Sequence, residues 1–287
     1  MVDLTTPNAT PPRKRGRPPS VQAEAGGEIQ SLDRAIGILE VLSSVDGLSL
    51  SDVARFAELP TSTAHRMLMT LQRRELVAHD AETGLWTVGV GLFRVGSAYL
   101  RIRKLPDIGR PVIRELQGRV KETVNLSMLD GDELVCVAQA ESHAPVRAFF
   151  RLGRRLPIHA SAAGKAILAA LDEAQRVRRL DGLTLEGFTF NTIIDRAALE
   201  AEVTRTRERG YGIDDEEHTV GMRCVSAAIR DENDEPVGAV SISAPSVRMP
   251  LEILPELGEH AVETARLLTR RYSGRGRAPA ALPRLQK

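Results

Sequence analysis

The sequence predicts a two-domain α+β protein: a small helical unit closed by a β-hairpin, then a larger unit of mixed strands and helices. Three features predict it. Apolar residues recur at helical spacing between Leu32 and Leu71 and then alternate about a Thr-Gly turn. Two more hairpin patterns, with turns at Asp130-Gly131 and between Asp231 and Pro236, lie far downstream. The stretch between is helical in spacing but carries two prolines. A chain of 287 residues is long enough to bury two cores.

Residues 1–28 are rich in Pro, Gly, Ala and Thr without apolar periodicity, which predicts a disordered tail. Within it, PRKRGRPPS places Arg15 and Arg17 on either side of Gly16 and ahead of Pro18. Two guanidinium groups flanking a residue without a side chain have the form of an AT-hook, which lies in a narrow A·T minor groove. The alternative is a solvated basic tail that attracts phosphate without reading sequence. Either way the partner is nucleic acid, and the attraction is local, because 39 basic and 38 acidic residues nearly cancel.

Residues 29–91 read as a DNA-binding unit. Ser31 is the expected N-cap of a first helix whose apolar face is Leu32, Ala35, Ile36, Leu39 and Leu42, with Gly47 after its end. SLSDVARFAELPTSTAHRMLMTLQRRELV then reads as helix, tight turn and helix. Leu50, Val53, Ala54 and Ala57 form one face, Ala64, Leu68 and Leu71 the next, and Pro60 and Thr61 mark the turn and the cap. LVAHDAETGLWTVG follows as two short strands with Trp86 and Val88 alternating toward the core. Three helices and a hairpin make a winged helix-turn-helix. Thr61, Ser62, Thr63, His65 and Arg66 lie on the polar side of the second helix of the pair, where their donors suit a major groove. A helical hairpin used only for protein contacts would share the helix pattern, but the wing and the basic tail on its flanks point to DNA.

A linker helix is expected over residues 92–105, with a kink or break at Pro106 and Pro111. Residues 106–272 hold the two downstream hairpins, helices at Ala162 to Leu171 and Arg196 to Arg209, and a final amphipathic helix from about Leu251 to Tyr272. Residues 273–287 lack core residues and are expected to be disordered. Cys136 and Cys224 are far apart in a chain with no apolar segment near its start, which predicts a reducing, cytoplasmic setting and no disulfide. No apolar run reaches the roughly 18 residues of a membrane span.

One stretch decides between enzyme and sensor. PIHASAAGKAILA, Pro157 to Ala169, has a Gly-Lys pair at a helix start, but His159 stands where a phosphate loop needs its first Gly, and Ala166 follows Lys165. Ser161 lacks the flanking glycines of a nucleophile elbow, and His159 reads as a packed or capping residue. What remains is a run of small residues, Ser161 to Gly164. It can leave backbone N–H groups open to an anion, or it can serve only close packing of helix on sheet. From these residues alone both readings stand.

Further stretches supply a context. LPIHASAAGKAILA, GYGIDDEEH, RCVSAAI and AVSISAP follow one another in this order, and LPTSTAHRML and GLWTVG precede them. From about Ile29 to Tyr272 the chain resembles the IclR family of bacterial transcription regulators, most of all its acetate-operon, or glyoxylate-bypass, repressor branch. The resemblance implies a winged-helix domain, a linker helix and a GAF-like α/β effector domain. It implies a small α-keto acid such as glyoxylate or pyruvate as effector, with its carboxylate on the amides of Ala162 and Ala163. By position it makes Asp214, Cys224, Ser241 and Ser243 polar partners, and Leu156 and Ala148 the apolar wall. Ser241 and Ser243, two apart on a strand, point the same way.

Asp214 beside a bound carboxylate would repel it unless separated, hydrated or protonated. Asp215, Glu216 and Glu217 read as a solvated acidic loop; a metal cluster with His218 lacks helix-face or Cys-X-X-Cys spacing. Cys224 reads as a buried thiol lining a pocket, with no group to orient it for catalysis with His218. The expectation is a ligand-responsive repressor of a carbon-metabolism operon, with no catalytic residue, cofactor or metal, binding operator DNA as a dimer or dimer of dimers. The alternatives are a family member for aromatic or sugar-acid catabolism with a larger effector, an enzyme domain fused to a DNA-binding module, and a constitutive architectural protein.

Overall fold

The computed structural model describes residues 29–102, 104–148 and 150–273. The Arg15 to Arg17 core and the segment after Ser273 lie outside the described residues. Contacts divide the chain into two units, with the division between Val95 and Gly96.

The first unit holds α1 (Gln30–Ser43), α2 (Leu50–Phe56), α3 (Thr61–Arg73) and a hairpin of β1 (Val77–His79) and β2 (Trp86–Val88). Leu48 exchanges backbone hydrogen bonds with Trp86 at 3.0 and 2.8 Å, an isolated bridge on the outer side of β2. Ile38, Leu42, Val53, Leu68, Leu71, Val77 and Trp86 form the core. The first helix therefore buries Leu42 and half-buries Ala35 and Leu39, as expected, but it turns Leu32 and Ile36 outward and buries Ile38 in their place. Its spacing allowed this rotation of the face, because apolar residues lie on more than half of its circumference. Caps differ as well. Ile29 is the N-cap of α1 and Pro60 that of α3, neither with a side-chain cap, so Ser31 and Thr61 are helical residues. Trp86 is buried, whereas Val88, at the open end of the hairpin, is 39% exposed.

Helix α4 (Val90–Ile102) crosses the division between the units. The helical run is not broken at its prolines: α5 (Lys104–Val120) contains both. Pro106 falls in the first turn, where its missing N–H has no intrahelical partner. Pro111 lies further in, and the burial of Leu105, Val112, Ile113 and Leu116 against the sheet holds the helix through it.

The second unit is built on a six-stranded sheet of order β5-β4-β3-β8-β7-β6, all neighbours antiparallel. Its strands are β3 (Thr123–Asp130), β4 (Glu133–Ala140), β5 (Arg155–Pro157), β6 (Gly212–Asp215), β7 (Met222–Arg230) and β8 (Pro236–Pro245). Both downstream hairpins form where their turns predicted them. Alternation sorts the two faces. Val124, Leu126, Met128, Val225, Ile229, Val240 and Ile242 pack with α5 and α9 (Leu254–Tyr272). The intervening residues Asn125, Ser127, Cys224, Ser226, Ser241 and Ser243 therefore point to the other face. That face takes α6 (Ala162–Ala170), α7 (Glu173–Asp181) and α8 (Arg196–Arg209), whose Ile167, Leu168, Leu180 and Leu199 cluster with Leu134 and Ala239 of the sheet.

Candidate functional site

The start of α6 is set by two contacts that only glycine permits. A Cβ on Gly164 would stand 2.0 Å from the carbonyl oxygen of Ile158, and one on Gly212 would stand 2.2 Å from that of Ala162. Close packing therefore explains part of the small-residue run. Ser161 caps the helix: its Oγ accepts from the Gly164 N–H at 3.1 Å and donates to the Pro157 carbonyl at 2.8 Å. Among the described residues no acceptor faces the N–H groups of Ala162 and Ala163. Both residues line a cavity.

The cavity floor draws on all six strands. Leu156 on β5, Cys136 on β4, Asn125 and Ser127 on β3, Ser241 and Ser243 on β8, Cys224 on β7 and Asp214 on β6 line it, with Ala162 and Ala163 above. The structure thus brings together seven of the eight residues placed by position. The exception is Ala148: it is buried, its carbonyl accepts from Thr123 Oγ1 at 2.8 Å, and it is not in the cavity wall. Phe150 stands in the wall instead. The space open to water-sized groups is about 30 Å³; since about 10–15 Å³ of such space holds one water, a few non-hydrogen atoms fit.

Polar groups on the floor are linked. Gln139 Nε2 donates to Asn125 Oδ1 at 2.8 Å, and Asn125 Nδ2 donates to Ser243 Oγ at 3.2 Å. Cys224 Sγ also donates to Ser243 Oγ, at 3.0 Å, and Ser241 Oγ donates to Ser226 Oγ at 2.9 Å. Burial pushes the Cys224 thiol well up, and Asp214 beside it pushes the same way. Cys136 is raised to about 11, mainly by burial. Both are neutral thiols, poor nucleophiles by that measure. His159 is buried, with Nε2 2.9 Å from the Glu186 carbonyl and its ring stacked on Phe188.

Asp214 is 6% exposed, and its Oδ1 accepts from the Glu217 N–H at 2.8 Å and from the His218 N–H at 3.4 Å. Burial raises its carboxyl to about 7, against the opposing pull of the Lys165 ammonium. Near neutrality a large fraction is protonated, which answers the charge problem the sequence poses. Lys165, fully buried, pairs with Glu217, itself 6% exposed. The acidic run is therefore not a solvated loop at Glu217. Asp215 pairs with Arg223 at 2.5 Å, and the carbonyl of Glu217 accepts from Thr192 Oγ1 at 2.5 Å.

In the first unit, Thr61, Ser62, His65 and Arg66 are exposed on α3 and Thr63 is half-buried, opposite the buried Ala64, Leu68 and Leu71. The polar side of this helix is thus open along its first turns.

Two family models match the chain: the IclR helix-turn-helix domain over residues 31–81, and the C-terminal domain of the bacterial transcriptional regulator IclR over residues 97–270. The chain belongs to the IclR family of bacterial transcriptional regulators. It is 40% identical to the HTH-type transcriptional regulator BhcR of Paracoccus denitrificans over 90% of this chain and 92% of the relative. It is 39% identical to the transcriptional repressor IclR of Escherichia coli over 92% and 97%. The solved IclR of Thermotoga maritima superposes with a TM-score of 0.73 at 29% identity, covering 86% of this chain and all of that one. These relatives are regulators, not enzymes. As an IclR-family regulator the chain pairs a DNA-binding helix-turn-helix with an effector domain, and no helix among the described residues is long and apolar enough to cross a membrane.

Sequence reasoning missed Asn125, Ser127, Cys136, Phe150, His218, Thr219 and Met222 in the wall of this IclR-type cavity. A signal existed for two of them. In TVNLSMLD the polar residues Thr123, Asn125 and Ser127 alternate with apolar ones, so one face of that strand is polar although both faces are buried. Lys165 carried no comparable mark.

Proposed function

We propose that this regulator represses a carbon-metabolism operon of the acetate, or glyoxylate-bypass, type and senses a two- or three-carbon α-keto acid such as glyoxylate or pyruvate. One observation carries the effector reading. A cavity with room for a few atoms presents the two open amides of Ala162 and Ala163 opposite Asp214, Cys224, Ser241 and Ser243. Backbone N–H groups at a helix start favour a carboxylate. The hydroxyls and a protonated Asp214 then serve the keto oxygen or its hydrate, and Leu156 closes the apolar side.

In the DNA-binding unit, Ser62, Thr63, His65 and Arg66, with Thr61 at the helix start, reach base edges or phosphates of the major groove. Two protomers, alone or as a dimer of dimers, place their α3 helices on a palindromic operator, and Arg15 and Arg17 add contacts from the tail. The effector acts by binding one arrangement of the DNA-binding units better than the other.

The test is thermal unfolding of the full chain with millimolar glyoxylate, pyruvate, aromatic acids and sugar acids. A ligand at about 100 times its dissociation constant adds about 2.7 kcal/mol when it binds only the native state. Stabilisation by the short keto acids alone supports the reading. Stabilisation only by larger acids assigns a larger effector, and none with any acid points to a constitutive architectural protein.

A further inference from the structure

We propose that Ser127 is a specificity-determining residue of this cavity, whose hydroxyl hydrogen-bonds an effector oxygen in the place that pyruvate fills with its methyl group. The inference rests on the short-keto-acid reading and narrows it to acids that carry such an oxygen.

Ser127 lies on β3, is 1% exposed, and lines the cavity. Its Oγ has no hydrogen-bond partner among the described residues. The neighbouring floor groups differ in this respect. Ser226, Ser241 and Ser243 are all engaged, and the Cys136 thiol, directly across from Ser127 on β4, reaches the Ala138 carbonyl at 3.8 Å. Leaving a buried hydroxyl unmatched costs its desolvation, and native structures hold few such groups. A small apolar residue would fill the same place without that cost, so the sheet does not explain this serine.

Its position says what it can meet. Asn125 is paired with Ser241 across β3 and β8, and Ser127 is two residues further along the same face. It is therefore a diagonal neighbour of Ser241, at a spacing of about 7–8 Å. One small molecule can touch both hydroxyls. The second hydroxyl of hydrated glyoxylate, or the hydroxymethyl group of hydroxypyruvate, supplies an oxygen in that place. The methyl group of pyruvate does not, and it would leave Ser127 without a partner.

Titration calorimetry of the full chain with glyoxylate, hydroxypyruvate and pyruvate, for wild type and Ser127→Ala, tests this, alongside the unfolding temperature of each protein without ligand. Wild type is expected to bind at least one of the two oxygen-bearing acids about tenfold more tightly than pyruvate, the scale of one buried hydrogen bond. Ser127→Ala is expected to lose that preference, with pyruvate unaffected and the unliganded unfolding temperature unchanged or raised. A packing role would instead lower the unliganded unfolding temperature and weaken all three acids alike. That result, or a wild type without preference, overturns the role of Ser127 and leaves the short-acid reading standing. A wild type that binds none of the three overturns both.

Discussion

Lys165, on the second turn of α6, is ion-paired with Glu217, just beyond β6, and both are buried beside Asp214 at the cavity wall. The pair ties the helix that presents the open amides to the loop that presents Asp214. Its members are 52 residues apart in the chain.

Breaking this pair from one side is expected to be costly. Lys165→Met leaves the Glu217 carboxylate buried without its cation, and removal of one partner from a buried pair typically costs about 3–5 kcal/mol. Denaturant unfolding followed on the larger unit measures the loss. The double variant Lys165→Met with Glu217→Leu removes both charges and is expected to recover part of it. Equal instability of the single and double variants would show that packing and not charge is at stake.

Asp214 gives a pH dependence of known sign. Burial pushes its carboxyl up to about 7, from an ordinary value of about 4, so between those values the folded chain holds a proton that the unfolded chain has lost. Stability then falls as pH rises from about 4 to about 7, and the penalty is complete above that. Asp214→Asn keeps an acceptor for the Glu217 and His218 N–H groups and removes the penalty. Without ligand it should be more stable than wild type at pH 8, with about 4 kcal/mol as the ceiling, and indistinguishable near pH 4. Unfolding temperatures across this range check the sign.

The same variant tests the effector model. An anion bound nearby favours the protonated carboxyl, so wild-type affinity for glyoxylate should decline as pH rises above about 7. Calorimetric titrations at pH 6 and 8 measure the change. In Asp214→Asn that pH dependence should vanish; its persistence would place the titrating group elsewhere.

Arg66 is exposed on the polar side of α3. If it reads a base edge, Arg66→Ala weakens operator binding by about 1–3 kcal/mol while sparing random DNA. Equal weakening on both, with a shallower salt slope, would assign the side chain to phosphate. Fluorescence anisotropy at several salt concentrations separates the two.

Local chemistry was legible in the sequence wherever a short stretch decides it. The Asp130-Gly131 turn and the acidic turn after Arg230 set two hairpins, and α8 begins after Asp195, whose side chain caps it, and ends at Gly210 in the left-handed conformation. α7 was not read, although Asp172 and Gln175 form a reciprocal capping box, because its apolar content is too low to show periodicity. The edge of the apolar face of α1 was misplaced for the opposite reason: Leu32 and Ile36 fit a stripe with Leu39 and Leu42 as well as Ile38 does.

By itself the sequence determined the two-unit order, the helix-turn-helix, the hairpins and the family to which the chain belongs, since turns and contiguous motifs act over a few residues. Only the tertiary structure decided the cavity. Pairing Thr123 with Ser243 and Asp214 with Cys224 brings six strands to one floor, sets Ser127 there without a partner, and leaves Ala148 out of its wall. It also decided that Lys165 is buried. The fate of a charged side chain depends on a counter-charge delivered from elsewhere in the chain, and no local pattern records that.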